Sequence, residues 1–242
     1  MGAGGGVSPA LLTDNLTKYS LNLNKLPFRE VKFAKGEFMK LKAHSLLVLI
    51  LIIGVVDWAE AQVYSIPLHY QPTKRFLSLQ QKVGPRLGLA SFKDERQEKS
   101  YIGIHYPLQG PATHFETLPM PLERALEKSL RDALSWLGVK VASVSNWDGT
   151  PESLKYIETD SVLSIEIKKF WTEGTGSLLR AKIKTTVQLV FQLGVKSEGK
   201  IFTRNVEMAK EITVLRSTPE TVGTIINEIL TDAFDTFFSS PY

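Results

Sequence analysis

The feature that most constrains this fold is a set of three segments near the C-terminus whose apolar residues recur at every second position. Ser161 to Trp171 places Leu163, Ile165 and Ile167 on one side. Leu178 to Gly194 places Leu179, Ala181, Ile183, Val187, Leu189, Phe191 and Leu193 on one side, with Arg180, Lys182, Lys184, Gln188 and Gln192 on the other. Ile201 to Val214 sets Phe202, Val206, Met208, Ile212 and Val214 against Thr203, Asn205, Glu207 and Glu211. Successive side chains point to opposite faces of a strand, so this pattern predicts an antiparallel meander with one side buried and one in water. Glu173-Gly174-Thr175-Gly176 and Ser197-Glu198-Gly199 offer glycines for its two turns.

The next segment supplies a cover for the apolar side. Ser217 or Thr218 is placed to cap a helix, Pro219 suits its first position, and Ser217-x-x-Glu220 fits a capping box. Val222, Ile225, Ile226, Ile229, Leu230, Ala233, Phe234, Phe237 and Phe238 then form a wide apolar stripe. Burying each such side chain is worth roughly 1.5–3 kcal/mol before entropy is subtracted, so the helix is expected to lie on the meander.

Upstream the order is strand, helix, strand. Arg86 to Phe92 reads as a buried strand, running into the charged stretch Lys93 to Ser100 and a long loop to about Pro119. Leu122, Leu126, Leu130, Ala133, Leu134 and Leu137 mark an amphipathic helix that Gly138 is placed to end. Val139 to Val144 is a second strand, and Thr150-Pro151-Glu152 begins a short helical turn. The expected fold over residues 86–242 is therefore α+β. It has a mixed, mostly antiparallel five-stranded sheet with two main helices on one face, in the order β-α-β-(short α)-β-β-β-α. Residues 62–85, with Pro67, Pro72 and Pro85 among isolated aromatics, read as an extended arm.

The segment before this arm has the form of an export leader. Met39-Lys40-Leu41-Lys42 is a basic start, Ser45 to Val56 is an uninterrupted apolar run, and Ala59-Glu60-Ala61 is a small-x-small cleavage site before Gln62. A membrane-spanning helix needs about 20 apolar residues, and this run is shorter. Residues 39–61 are thus read as a Sec signal peptide, and the product as periplasmic or secreted. Residues 1–38 carry no sustained period. Lys35-Gly36-Glu37 can be encoded by a purine run with a ribosome-binding core just ahead of the Met39 codon, so translation is expected to start at Met39 and residues 1–38 to be a start-site artefact. The alternative is a disordered pre-extension.

Composition bounds the chemistry. The chain has no cysteine, which removes disulfides, thiolate metal sites and cysteine nucleophiles. Half of the formal net charge of +4 lies before Gln62, so the part after cleavage is nearly neutral and carries no nucleic-acid footprint.

Several of these segments together resemble the YajG family of bacterial envelope lipoproteins. The likeness lies in a strand leading to Asp94-x-Arg96, an amphipathic helix ending in Leu137-Gly138-Val139, a long polar-faced hairpin, and a terminal helix containing Ile229-Leu230-Thr231-Asp232-Ala233. It covers Leu87 to Arg96, Leu122 to Val141 and Ser161 to Phe238. The resemblance implies a periplasmic α+β domain with a non-enzymatic role in the envelope. Family members carry a lipid-accepting cysteine at the cleavage site, whereas this chain has Gln62, so outer-membrane attachment does not carry over.

Candidate functional residues fall in three places. Asp94 and Arg96 follow the first strand, where they either brace the loop or contact a partner. Tyr101, His105, Tyr106 and Phe115 lie in the loop from Tyr101 to Met120, either as an interface or folded back as a satellite cluster. Arg180, Lys182 and Lys184 form a basic stripe, either solvated or touching anionic headgroups. His69, His105 and His114 lack the spacing of a metal site, and Trp136, Trp147 and Trp171 read as packing residues. No GxSxG elbow, P-loop or dinucleotide fingerprint occurs, so neither catalytic residues nor a cofactor or metal is assigned. The expected function is an exported, non-catalytic envelope binding or scaffold protein that recognises a partner protein, with unassigned oligomeric state. A lipid, glycan or small-molecule binder using the space between sheet and helices is the alternative, with a hydrolase ranked behind both.

Overall fold

The computed structural model describes residues 61–73 and 79–240, so the expected extension and all of the leader except Ala61 lie outside the described residues. Trp58–Tyr242 is one compact unit. The buried apolar residues come from positions 66–238, so this unit carries its own core.

Among the described residues, eight strands and three helices follow in the order β1 (Gln62–Ser65), α1 (Leu79–Val83), β2 (Arg86–Asp94), β3 (Gly103–Tyr106), β4 (Thr113–Glu116), α2 (Leu122–Trp136), β5 (Lys140–Ser143), β6 (Ser161–Gly176), β7 (Ala181–Val195), β8 (Lys200–Val214) and α3 (Pro219–Ser239). A 3-10 turn at Ser153–Tyr156 precedes β6. The fold is α+β, but the sheet has eight strands where five were expected. The three additional strands are β1, β3 and β4, each four residues long. The sheet is also less antiparallel than expected. β6–β7, β7–β8 and β3–β4 are antiparallel, while β2–β5, β2–β6, β3–β6 and β1–β4 are parallel.

The alternating segments form β6, β7 and β8, and the turns between them explain two departures. The first turn is Ser177 to Arg180, closed by the Ser177 amide and hydroxyl donating to the Arg180 carbonyl at 2.7 and 2.8 Å. β6 therefore continues through Gly174 and Gly176, which were expected in the turn. Leu179, expected on the apolar face, falls in the turn and is 80% exposed. The second turn uses Gly199 at φ 62°, a conformation glycine adopts without strain.

Helix α3 docks its stripe on β7 and β8. Ile225, Ile229 and Phe234 are buried, and Phe191 of β7 stacks on Phe237 with ring centroids 4.2 Å apart. Its cap is Thr218, whose hydroxyl accepts from the Thr221 amide at 3.2 Å. Helix α2 ends at Gly138, with φ 83°, and its Leu126, Leu130 and Leu134 join the same core as α3. On the other side of the sheet a smaller cluster of Trp147, Leu154, Ile157 and Val162 packs around Gly194.

The first part of the expected arm packs as part of the domain, and near its end Leu79–Val83 form the helix α1 in place of an extended chain. Ile66, Leu68 and Tyr70 are buried. The Tyr70 amide donates to Ser129 Oγ of α2 at 2.6 Å, and its hydroxyl donates to Asp235 of α3 at 2.8 Å. Burial and that carboxylate both raise the Tyr70 pKa, so the phenol stays protonated.

Candidate functional site

One edge of β6 is shared by two strands. β2 pairs with its first half, from Leu87 opposite Ser161 to Asp94 opposite Ile167. β3 pairs with its second half, from Gly103 opposite Thr172 to Tyr106 opposite Thr175. Between them β6 is irregular, with a register shift between Ile167 and Lys169. A strand carbonyl left in such a gap needs a donor.

Arg96 provides it. Its Nη1 donates to the carbonyls of Phe170 in β6 and Tyr101 at 3.1 and 2.8 Å. Nη2 donates to the Lys99 carbonyl at 3.3 Å and to Asp94 Oδ2 at 2.9 Å, and Nε donates to Asp94 Oδ1 at 3.0 Å. All five guanidinium N–H groups are thereby satisfied. The Arg96 side chain is only 4% exposed and that of Asp94 10%, so this is a buried pair that braces the loop and splices β3 to β2.

Beyond the splice, β3 and β4 form a hairpin where the sequence reading placed an unstructured loop. Mixed composition hid it. Tyr101 is half-buried with its ring 4.3 Å from that of His114. Phe115 is buried in the core, so it presents nothing to a partner. The imidazole of half-buried His105 occupies the space a Cβ at Gly174 would take. Its Nδ1 is buried without a hydrogen-bond partner among the described residues, and burial lowers its pKa. Of the expected hairpin residues Tyr106 is the exposed one, at 49%. On the adjoining β1, Tyr64 and Val63 are exposed as well, as is Met120 after β4.

The three residues of the basic stripe have different surroundings. Lys182 pairs with Glu211 at 2.8 Å. Lys184 lies in register between Glu173 of β6 and Glu211 of β8. Arg180 belongs to the β6–β7 turn and forms no ion pair among the described residues. Trp147 is buried and Trp171 half-buried, while Trp136 is 66% exposed. Among the described residues no group of three or more His, Asp or Glu is placed to hold a metal ion.

Between sheet and helices, Ile165, Val187 and Leu189 are fully buried in one apolar core with residues of α2 and α3. A polar groove of about 550 Å³ lies elsewhere, lined by His69, Gln71, Lys210, Asn227, Glu228 and Asp232. Sequence reasoning missed it, since residues 69–71 meet α3 only through tertiary packing. Lys210 pairs there with Glu228 at 2.7 Å, and the His69 amide donates to Asn227 at 2.9 Å.

No protein-family model and no curated protein sequence matches the chain, so membership in the YajG family is not shown. Solved structures match it at low identity. A Xanthomonas campestris protein of family DUF330 is 18% identical with a TM-score of 0.48, over 74% of this chain and 93% of its own. A lipoprotein from Neisseria meningitidis is 15% identical with a TM-score of 0.35, over 61% and 96%. The PelC dodecamer subunit from Paraburkholderia phytofirmans is 13% identical with a TM-score of 0.33, over 69% and 92%. At these values the likeness assigns no function. No helix among the described residues is long and apolar enough to cross a membrane.

Proposed function

We propose that this chain is an exported, non-catalytic envelope protein that binds a partner protein through the limb formed by β1, β4 and β3. The leader from Met39 to Ala61 supports export. The observation that carries the binding reading is the Arg96 splice. A buried charge pair with five satisfied donors fixes a short hairpin on the sheet edge, and that limb presents Tyr64, Tyr106 and Met120 to solvent. Aromatic and methionine side chains on a rigid support are what protein interfaces favour, because little conformational entropy is lost on binding. Asp94, Arg96, Tyr101 and His105 act in this reading as the frame and Tyr106 as the contact.

The test is a photo-crosslinker at position 106 in cells, followed by capture from solubilised envelopes. A single crosslinked protein that disappears in Tyr64→Ser/Tyr106→Ser, while folding is unchanged, is the expected result. Absence of any adduct would sink the reading. A second reading, a glycan or small polar ligand, is favoured by the groove beside His69 and Asn227. Native mass spectrometry of the purified protein separates the two, since a co-purifying ligand released by Asn227→Ala supports the second.

A further inference from the structure

One lateral row of the sheet runs through Gln62, Thr113, His105, Gly174, Ile183 and Ile212, each in register with the next. β3 and β6 run past this row toward one end of the sheet, β7 leaves from that end, and β8 finishes there. The β6–β7 turn and the residue after β8 therefore lie together at this end. They carry Leu178, Leu179 and Leu215, which are 87, 80 and 82% exposed. Leu108 joins them. Its amide nitrogen stands 3.1 Å from where a Cβ of Gly176 would be, and its side chain is exposed. Four leucines from three separate loops thus crowd one end, where turns normally place polar residues. Arg180 and Arg216 flank them, both exposed and forming no ion pair among the described residues.

The direction of β1 makes this end special. β1 is parallel to β4, which runs away from the leucine end, so the chain before Gln62 leaves from the leucine end. The apolar run Ser45–Val56 is separated from Gln62 by residues 57–61, a span of at most about 20 Å when fully extended. The leucine end is therefore the end of the domain at which β1 begins, within that length of chain from the apolar run.

We propose that this end is a peripheral membrane-binding site, in which Leu108, Leu178, Leu179 and Leu215 enter the headgroup region and Arg180 and Arg216 meet anionic phospholipid. The proposal rests on the export part of the reading above. Apolar side chains leaving water and cations meeting an anionic surface each favour the bilayer, and the arginine contribution is screened by salt.

The experiment is co-sedimentation of residues 62–242 with vesicles of phosphatidylglycerol and phosphatidylethanolamine at low salt. Binding is expected, weakening with salt and with removal of phosphatidylglycerol. Leu178→Ser/Leu179→Ser/Leu215→Ser should lower partitioning at least about tenfold, and Arg180→Gln/Arg216→Gln by about tenfold with loss of salt dependence. Tyr156→Ser, which removes an equally exposed side chain at the opposite end of the sheet, should leave binding unchanged. The proposal is overturned if the wild type binds no vesicles, if the leucine variant binds as well as wild type, or if Tyr156→Ser weakens binding equally. It is also overturned if the leucine variant only converts a dimer to a monomer in light scattering. Export is tested apart, by protease accessibility in spheroplasts, so vesicle binding by a protein found in the cytosol would overturn the export reading alone.

Discussion

The two halves of the β6 edge are held by different physics. Along the first half, β2 is fixed by apolar burial, with Leu87 and Leu89 inside the main core beneath α2. Along the second half, β3 is fixed by a buried guanidinium and by close backbone approach at Gly103. Burial spreads its stabilisation over many contacts, so one loss is shared. A buried charge concentrates it, since removing the cation strands a carboxylate and several carbonyls without partners.

The largest expected effect therefore comes from the splice. Arg96→Ala should destabilise the protein by about 3–5 kcal/mol in denaturant unfolding. Amide exchange should show β3 and β4 losing protection before β2 does, and equal loss in both halves would remove the distinction. Leu89→Ala tests the other half, with an expected cost of about 3 kcal/mol. Here the hairpin amides should keep their ranking relative to β2. Gly103→Ala comes next, because its Cβ would stand 2.5 Å from the Thr172 carbonyl oxygen, a backbone atom that cannot swing aside. A cost of about 2 kcal/mol is expected, and a stability equal to wild type would show that β3 is not tightly seated.

The smallest effect is one of pH. Burial holds the His105 imidazole below its ordinary pKa, so the unfolded chain takes up the proton first as pH falls. The contribution of His105 is intact above about pH 6.5 and declines below it. His105→Gln should therefore lose less of its thermal midpoint than wild type between about pH 7.5 and pH 5. Parallel curves for the two proteins would show that His105 gains its proton without strain against Gly174.

The same contrast explains what could be read in advance. β7, β8 and α3 were legible because fifteen or more residues repeat one period, β6 from the alternating Leu163, Ile165 and Ile167 before its register shift, and β2, α2 and β5 from apolar spacing and Gly138. The four-residue strands β1, β3 and β4 were not. In Thr113–Glu116 only Phe115 is buried, so no alternation is visible at that length. The Asp94–Arg96 pair was visible as a choice between brace and contact, whereas its burial and the carbonyls of Lys99, Tyr101 and Phe170 that it reaches were not. The leucine end was hidden because Leu179 continues the period of β7 in sequence while the turn places it outside the strand.

Local rules thus determined the meander and its covering helix, because periodicity and capping act between residues a few positions apart. The splice at Arg96, the polar groove beside Asn227 and the gathering of leucines at one end were decided by the tertiary structure alone. Each depends on groups brought together from distant segments, and neither spacing nor composition records which distant neighbours will meet.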